Sequence, residues 1–262
     1  MIRKLAPILI GLLMIAALAC EGLAPAAALT AKAFPSPTPV PAAGPGAAKL
    51  AEQVRAAMEK AGSFHFNMDM MMAVAGEGFT LDVPFQLAGD FSAPDKMNGK
   101  LAASVLGSTL ETEFVKIGAM SWVKDPQTGQ WMESQDDSGF APFSPQDFLG
   151  DEFFSGPDSA VSELKLVGTE MIDGVSTWHY SAVVSAKKLG RKGSDLMFDM
   201  YIGVDDKLPR KITMSGEVDL SGVFGDSGDR QMPVPTGPAN LDLVMTVSKY
   251  GVPVTINPPP GF

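Results

Sequence analysis

Between residues 64 and 91 the chain alternates. Phe64, Phe66, Met68, Met70, Met72 and Val74 share one parity, while His65, Asn67 and Asp69 hold most of the other. A second run sets Phe79, Leu81, Val83, Phe85, Leu87 and Phe91 against Thr80, Asp82, Gln86 and Asp90, with Gly76-Glu77-Gly78 between the two runs. A period of two puts successive side chains on opposite faces of a strand, and a short glycine-rich link predicts a hairpin. One face of that hairpin is apolar from end to end. Burying a large apolar side chain is worth about 1.5–3 kcal/mol, so that face demands a cover, and the identity of the cover is the functional question.

The same reading predicts strands over 96–107, 108–117, 119–124, 130–134, 164–172, 175–185, 195–204, 208–220 and 241–250, about eleven antiparallel strands in all. Leu101 shares parity with Met97 and Ala103; Phe198, Met200 and Ile202 form a second apolar set, and Ile212 and Met214 a third. Helical spacing occurs over 47–61, where Leu50, Val54, Met58 and Ala61 form a stripe opposite Glu52, Arg55, Glu59 and Lys60, and Gly62 ends it. Residues 136–162 break the strand pattern. Ser144-Pro145 predicts the start of a short helix with Phe148, Leu149, Phe153 and Phe154 on one side, which would be a lid, a plug or a surface excursion.

Strands lie about 4.8 Å apart, so eleven of them span roughly 50 Å. A helix is about 10–12 Å across and is expected to cover two or three strands. The rest of the apolar face must be buried by curling, by packing on itself or by a ligand. The expected class is mainly β (α+β): a large curled antiparallel sheet, an unclosed half-barrel of about eleven strands wrapped over one long and one short helix. Its many inward methionines are suited to irregular apolar partners, acyl chains among them, and equally to core packing.

Composition adds a compartment. Residues 1–19 have the order of an export signal, with Arg3 and Lys4, an apolar run from Leu5 to Leu18, and small residues before Cys20. That run is shorter than the ~18–20 residues of a membrane-spanning helix. Cys20 is the only cysteine, so no intramolecular disulfide can form. Ala17-Leu18-Ala19-Cys20 resembles the lipobox of bacterial lipoproteins, although the usual pattern has Leu where Ala17 stands and a small residue where Leu18 stands. The resemblance implies lipidation of Cys20; cleavage elsewhere, near Ala28, would instead leave a secreted protein. Residues 20–46, almost all Ala, Pro, Gly and Thr, cannot bury enough surface to order themselves and read as a semi-rigid tether. The remainder, 47–262, is expected to be one domain. The formal charge is −10, and loss of Arg3 and Lys4 with the leader takes it to −12. Such a chain suits neither nucleic acid nor an anionic membrane surface.

Catalytic chemistry finds little purchase. Gly225-Asp226-Ser227-Gly228-Asp229 lacks the setting a serine nucleophile needs, since the only histidines, His65 and His179, lie inside strand patterns. Ser185 and Lys188 have the spacing of penicillin-binding enzymes without their companion motifs. Two histidines and one cysteine are too few for structural zinc, and Asp136-Asp137 and Asp205-Asp206 lack calcium-loop spacing. The expectation is a protein that is not an enzyme and takes no cofactor or metal.

Several segments in order resemble a known family: Ser63-Phe-His-Phe-Asn-Met after the helix, Ile172-Asp-Gly-Val-Ser-Thr-Trp-His-Tyr, Tyr201-Ile-Gly-Val-Asp-Asp-Lys-Leu-Pro-Arg, and Tyr250-Gly-Val-Pro-Val-Thr-Ile-Asn-Pro-Pro. From about residue 47 to 260 they resemble the LppX/LprG-type lipoproteins of the LolA/LolB-like lipoprotein-carrier superfamily. The resemblance implies an unclosed barrel holding acyl chains, on a protein lipid-anchored to the outer face of the cytoplasmic membrane. The expected function is that of a lipid carrier or chaperone, the partner being a lipid or lipidated molecule, and the chain is expected to be a monomer. Two other readings stand beside it: an envelope sensor or interaction module of the same fold, like the related domain of sigma-factor regulators, with an envelope protein as partner; and a structural surface lipoprotein. Strand parity alone places the ligand face on Phe64, Phe66, Met68, Met70, Phe79, Leu81, Val83, Phe85, Leu101, Phe198, Met200, Ile202, Ile212 and Met214.

Overall fold

The computed structural model describes residues 44–76, 79–105, 107–134, 161, 164–187, 194–219 and 238–262, with the backbone alone at Ala75, Gly76, Phe79, Val105 and Ser134. Helix α1 (Ala47–Ala61) is followed by β1 (Ser63–Gly76), β2 (Phe79–Ser92), β3 (Lys96–Val105), β4 (Ser108–Ile117), β5 (Met120–Lys124) and β6 (Trp131–Ser134). Then come β7 (Lys165–Ile172), β8 (Val175–Val184), β9 (Leu196–Gly203), β10 (Pro209–Asp219) and β11 (Pro238–Ser248). The predicted helix over 47–61 is found residue for residue, closed by Gly62 at φ 69°, whose N–H donates to the Met58 carbonyl. A left-handed conformation there costs glycine nothing and other residues about 1–2 kcal/mol. The predicted short helix near 144–154 lies outside the described residues.

All eleven strands form one antiparallel, unclosed sheet in the order β6-β5-β4-β3-β2-β1-β11-β10-β9-β8-β7. The chain starts at the centre, meanders outward to one edge, crosses to the other edge and meanders back, so that its last strand zips onto its first. Register converts strand parity into rows across the sheet. Leu101, Leu87 and Met68 are direct partners on β3, β2 and β1, and the row runs on through Met245, Ile212, Met200 and Tyr180 on β11 to β8. A parallel row joins Ala103, Phe85 and Met70 to Leu243, Met214 and Phe198. One contiguous core takes in Leu50 and Val54 of α1 with the inward residues of these strands.

The helix covers more of the sheet than its width suggests. Before its first turn, the Tyr180 hydroxyl on β8 donates to the Pro45 carbonyl at 2.9 Å, and after its last, the Ala93 N–H donates to the Gly62 carbonyl at 2.7 Å, at the head of β1. From β8 to β1 is four strand spacings, about 19 Å, and the fifteen residues of α1 are about 22 Å long. The expectation of two or three covered strands is therefore corrected: Tyr180 stands in the row of Met68, five residues from the Ser63 end of β1, so α1 runs obliquely over the strands and its length rather than its diameter sets the cover. It reaches from β8 to β1 and stops there.

Gly89 and Gly99 face each other on β2 and β3. The Phe66 ring lies over the first and the Phe114 ring over the second, so that a Cβ on Gly89 would come within 2.8 Å of the Phe66 ring and one on Gly99 within 2.7 Å of Phe114. Two glycines thus make room for two aromatic rings, the packing known to shield glycine backbone in sheets.

Candidate functional site

The inner face falls into two regions. On β1 and on β9 and β10, Phe64, Phe66, Met68, Met70, Phe198, Met200, Ile202, Ile212 and Met214 are all buried, Phe66, Phe198, Ile202 and Ile212 completely. These nine positions from the parity reading sit in the main core together with α1. On β2 and β3 the same rows continue apolar with less cover, although Phe85 and Leu87 still touch the edge of the main core. Val83 is still buried, but Leu81, Phe85, Leu87, Leu101 and Ala103 are only half-buried. Beyond them Leu110, the partner of Ala103 on β4, is 37% exposed. Met132 of β6, which shares the inner face through Val123 and Phe114, is 51% exposed. The Phe79 side chain lies outside the described residues, as does Cys20.

One end of the inner face is sealed. Phe64 stacks on Phe91 with centroids 4.8 Å apart, and the rings of Phe66 and Tyr250 lie 6.5 Å and 6.0 Å from it. The Tyr250 hydroxyl donates to the Pro209 carbonyl, and the Arg210 guanidinium sits 5.1 Å from the ring centroid. Burial pushes the Tyr250 phenol well above its ordinary range. Next to it Lys207 caps the Trp178 ring at 4.2 Å. Tyr180, beneath the start of α1, is likewise pushed up to about 12 by burial. A phenol that keeps its proton in an apolar wall offers a hydrogen bond and no charge.

Polar chemistry is on the other face. His65 Nδ1 lies 2.9 Å from Asp90 Oδ1, and Gln86 donates to Asp69. His179 lies 2.9 Å from both Glu170 Oε1 and Asp199 Oδ1 and stacks on Tyr201 at 4.4 Å. His65 faces Asp90 directly across the strands, whereas His179 faces Gly168 and Tyr201 and reaches its two carboxylates diagonally. Among the described residues no group of three or more His, Cys, Asp or Glu side chains could hold a metal ion.

That outer face also carries a second, smaller core. Phe114 pairs with Val123 and faces inward, so Val115 and its partner Trp122 face outward. Ile256 of the C-terminal segment packs on both, with Val254, Ile117 and Trp131 around it, and the Phe262 ring lies 6.0 Å from Trp122. Trp122 is 2% exposed. The strand pattern read from the sequence ends at 250 and misses this packing, although Val252-Pro-Val-Thr-Ile has the period-two signal that finds it. Leu87 and Ala103 were also missing from the inferred ligand face, and parity with Phe85 and Leu101 was their signal; Leu110 and Met132 join that face only through the register of β3 to β6.

No protein-family model matches the chain, and no curated protein matches it. Among solved structures, it is similar to the lipoprotein LppX of Mycobacterium tuberculosis, at 18% identity over 80% of this chain and 98% of that one, with a TM-score of 0.46. It is similar to LprF from Mycobacterium bovis at 16% identity over 83% of this chain and 100% of that one, with a TM-score of 0.45. It is also similar to a LolA superfamily protein from Nitrosomonas europaea, at 13% identity over 79% and 93%, with a TM-score of 0.27. The likeness read from the sequence thus recurs among solved structures over most of the chain, at low identity.

Proposed function

We propose that this is a non-catalytic lipoprotein of the cell envelope that holds the acyl chains of a lipid or lipidated molecule against the inner face of β2 to β4, as carrier or chaperone. One observation carries the reading: side-chain rows closed by α1 over β8 to β1 run on, still apolar, into strands where Leu81, Phe85, Leu87 and Leu101 stay half-buried. Apolar surface gains about 25 cal/mol for each Å2 removed from water, or about 0.8 kcal/mol for each buried CH2. The surrounding side chains ask for shape and little hydrogen bonding, which suits a narrow, flexible hydrocarbon. Cys20, acylated after removal of 1–19, would tether the domain to the outer face of the membrane through 20–46, within reach of lipid.

The test is binding of a fluorescent fatty-acyl probe, together with mass spectrometry of lipid extracted from purified protein. Ala103→Trp and Leu81→Trp should each weaken probe binding by at least about tenfold, equivalent to about 1.4 kcal/mol, because the new ring occupies open volume. The melting temperature of the ligand-free variants should stay close to wild type, whereas overpacking a filled core would cost about 1–3 kcal/mol. Wild-type protein that binds no probe and carries no lipid, with both variants destabilised, would give the structural reading instead.

The anchor has its own measurement. Native protein should partition into detergent with an added acyl mass on an N-terminal Cys20, and Cys20→Ala should shift it to the aqueous phase. An unmodified N-terminus downstream of Cys20 would mean that residues 20–46 are no tether.

A further inference from the structure

We infer that the C-terminal segment 252–262 is a tie that sets the position of the β4–β6 wing, and with it the opening of the apolar inner face; the second half of this inference rests on the lipid-binding reading above. The segment is fixed at two places. At the head of β1 the Gly251 N–H donates to the Ser63 carbonyl at 2.9 Å, and the buried Ser63 hydroxyl donates to the Val252 carbonyl at 2.6 Å. At the wing, Ile256 is buried against Val115 and Trp122, and Pro259 is buried farther along. From β1 to β4 is three strand spacings, about 14 Å. The four steps from Val252 to Ile256 reach at most about 14 Å when fully extended, so the tie has little slack. Pro253 and Pro258-Pro259-Pro260 stiffen it.

The wing needs such a fixture because its inner side is lightly held. Phe114 and Val123 join the main core, but Leu110 and Met132 are exposed on the same face. The outer packing is therefore what keeps β4 to β6 from swinging, and a wing that swings changes the width of the face where β2 and β3 stand open. Regions with few buried contacts open locally, without unfolding the rest.

Amide hydrogen exchange on the full mature chain tests the tie directly. Ile256→Asp puts a charge between Val115 and Trp122, and should speed exchange in β4–β6 by at least about tenfold while β9–β11 keep wild-type rates; Trp emission should shift to longer wavelength as Trp122 meets water. Ile256→Val, which keeps the contact apolar, should leave both readouts at wild type. Unchanged exchange in β4–β6 overturns the inference, as does a uniform rise across all strands, which would make Ile256 an ordinary core residue. The same variant should weaken acyl-probe binding at least about fivefold; local loosening with unchanged affinity would overturn the control of the opening. A wild-type protein that binds no probe would instead count against the lipid reading, and the exchange result would still decide the tie.

Discussion

Gly89→Ala should be among the most damaging single substitutions in the molecule, although it adds one methyl group. A Cβ at position 89 would overlap the Asn98 carbonyl oxygen of β3 and lie 2.8 Å from the Phe66 ring and 2.9 Å from the Gly99 Cα. Two of these three neighbours are backbone, so relief requires β2 and β3 to part, inside the sheet and over a ring that is fully buried. Overpacking a close-packed interior costs about 1–3 kcal/mol when side chains can yield, and more when they cannot. A loss above about 3 kcal/mol is expected in chemical denaturation, enough to remove a large part of the 5–15 kcal/mol typical of a domain. Gly168→Ala is the control: no heavy atom lies within 4 Å of its Cβ position, and a change within about 0.5 kcal/mol is expected. Equal midpoints for the two variants would mean that the aromatic-over-glycine packing is absent.

A comparable loss is expected from Val54→Asp. Val54 is 3% exposed on the face of α1 that meets the sheet, in the same cluster as Phe64, Met200 and Ile212. A carboxylate there has no cation among the cluster residues and must give up its hydration or its charge, a cost of several kcal/mol. Leu50→Asp, one turn earlier and equally buried, should behave alike. Glu52→Ala, on the exposed side of the helix, should change stability by no more than about 0.5 kcal/mol. Since α1 reaches from β8 to β1, the two Asp variants should also speed hydrogen exchange in β1 and β8–β11. Denaturation midpoints equal to that of Glu52→Ala would show that α1 does not cover the sheet.

If the proposed function holds, the two regions of the inner face divide the work between stability and binding. Side chains under α1 are buried in one cluster with Leu50 and Val54, whereas Leu81, Phe85, Leu87, Leu101 and Ala103 share their parity and chemistry but stay half-buried. Substitutions should sort accordingly. Under α1 they should read out as stability, and at the half-buried positions Leu81, Phe85, Leu87, Leu101 and Ala103 as ligand affinity.

Local periodicity sufficed for much of this. The strand count, the helix with its Gly62 stop, and the assignment of Phe64, Met68, Phe198 or Ile212 to the inward face were legible in the sequence, because parity and glycine position are properties of a few neighbouring residues. Three other features came only with the tertiary structure: the pairing of β1 with β11, which puts the first and last strands at the centre, the lie of α1 across the strands, and the outer core built by Ile256 on Trp122. Each depends on residues far apart in sequence, as when Ser63 holds Val252 across a separation of 189 positions. For the same reason parity could mark which side chains face inward but could not tell those that α1 buries from those left open on β2 and β3. That distinction is set by where a helix of about 22 Å runs out, at β1, next to the open face of β2 and β3.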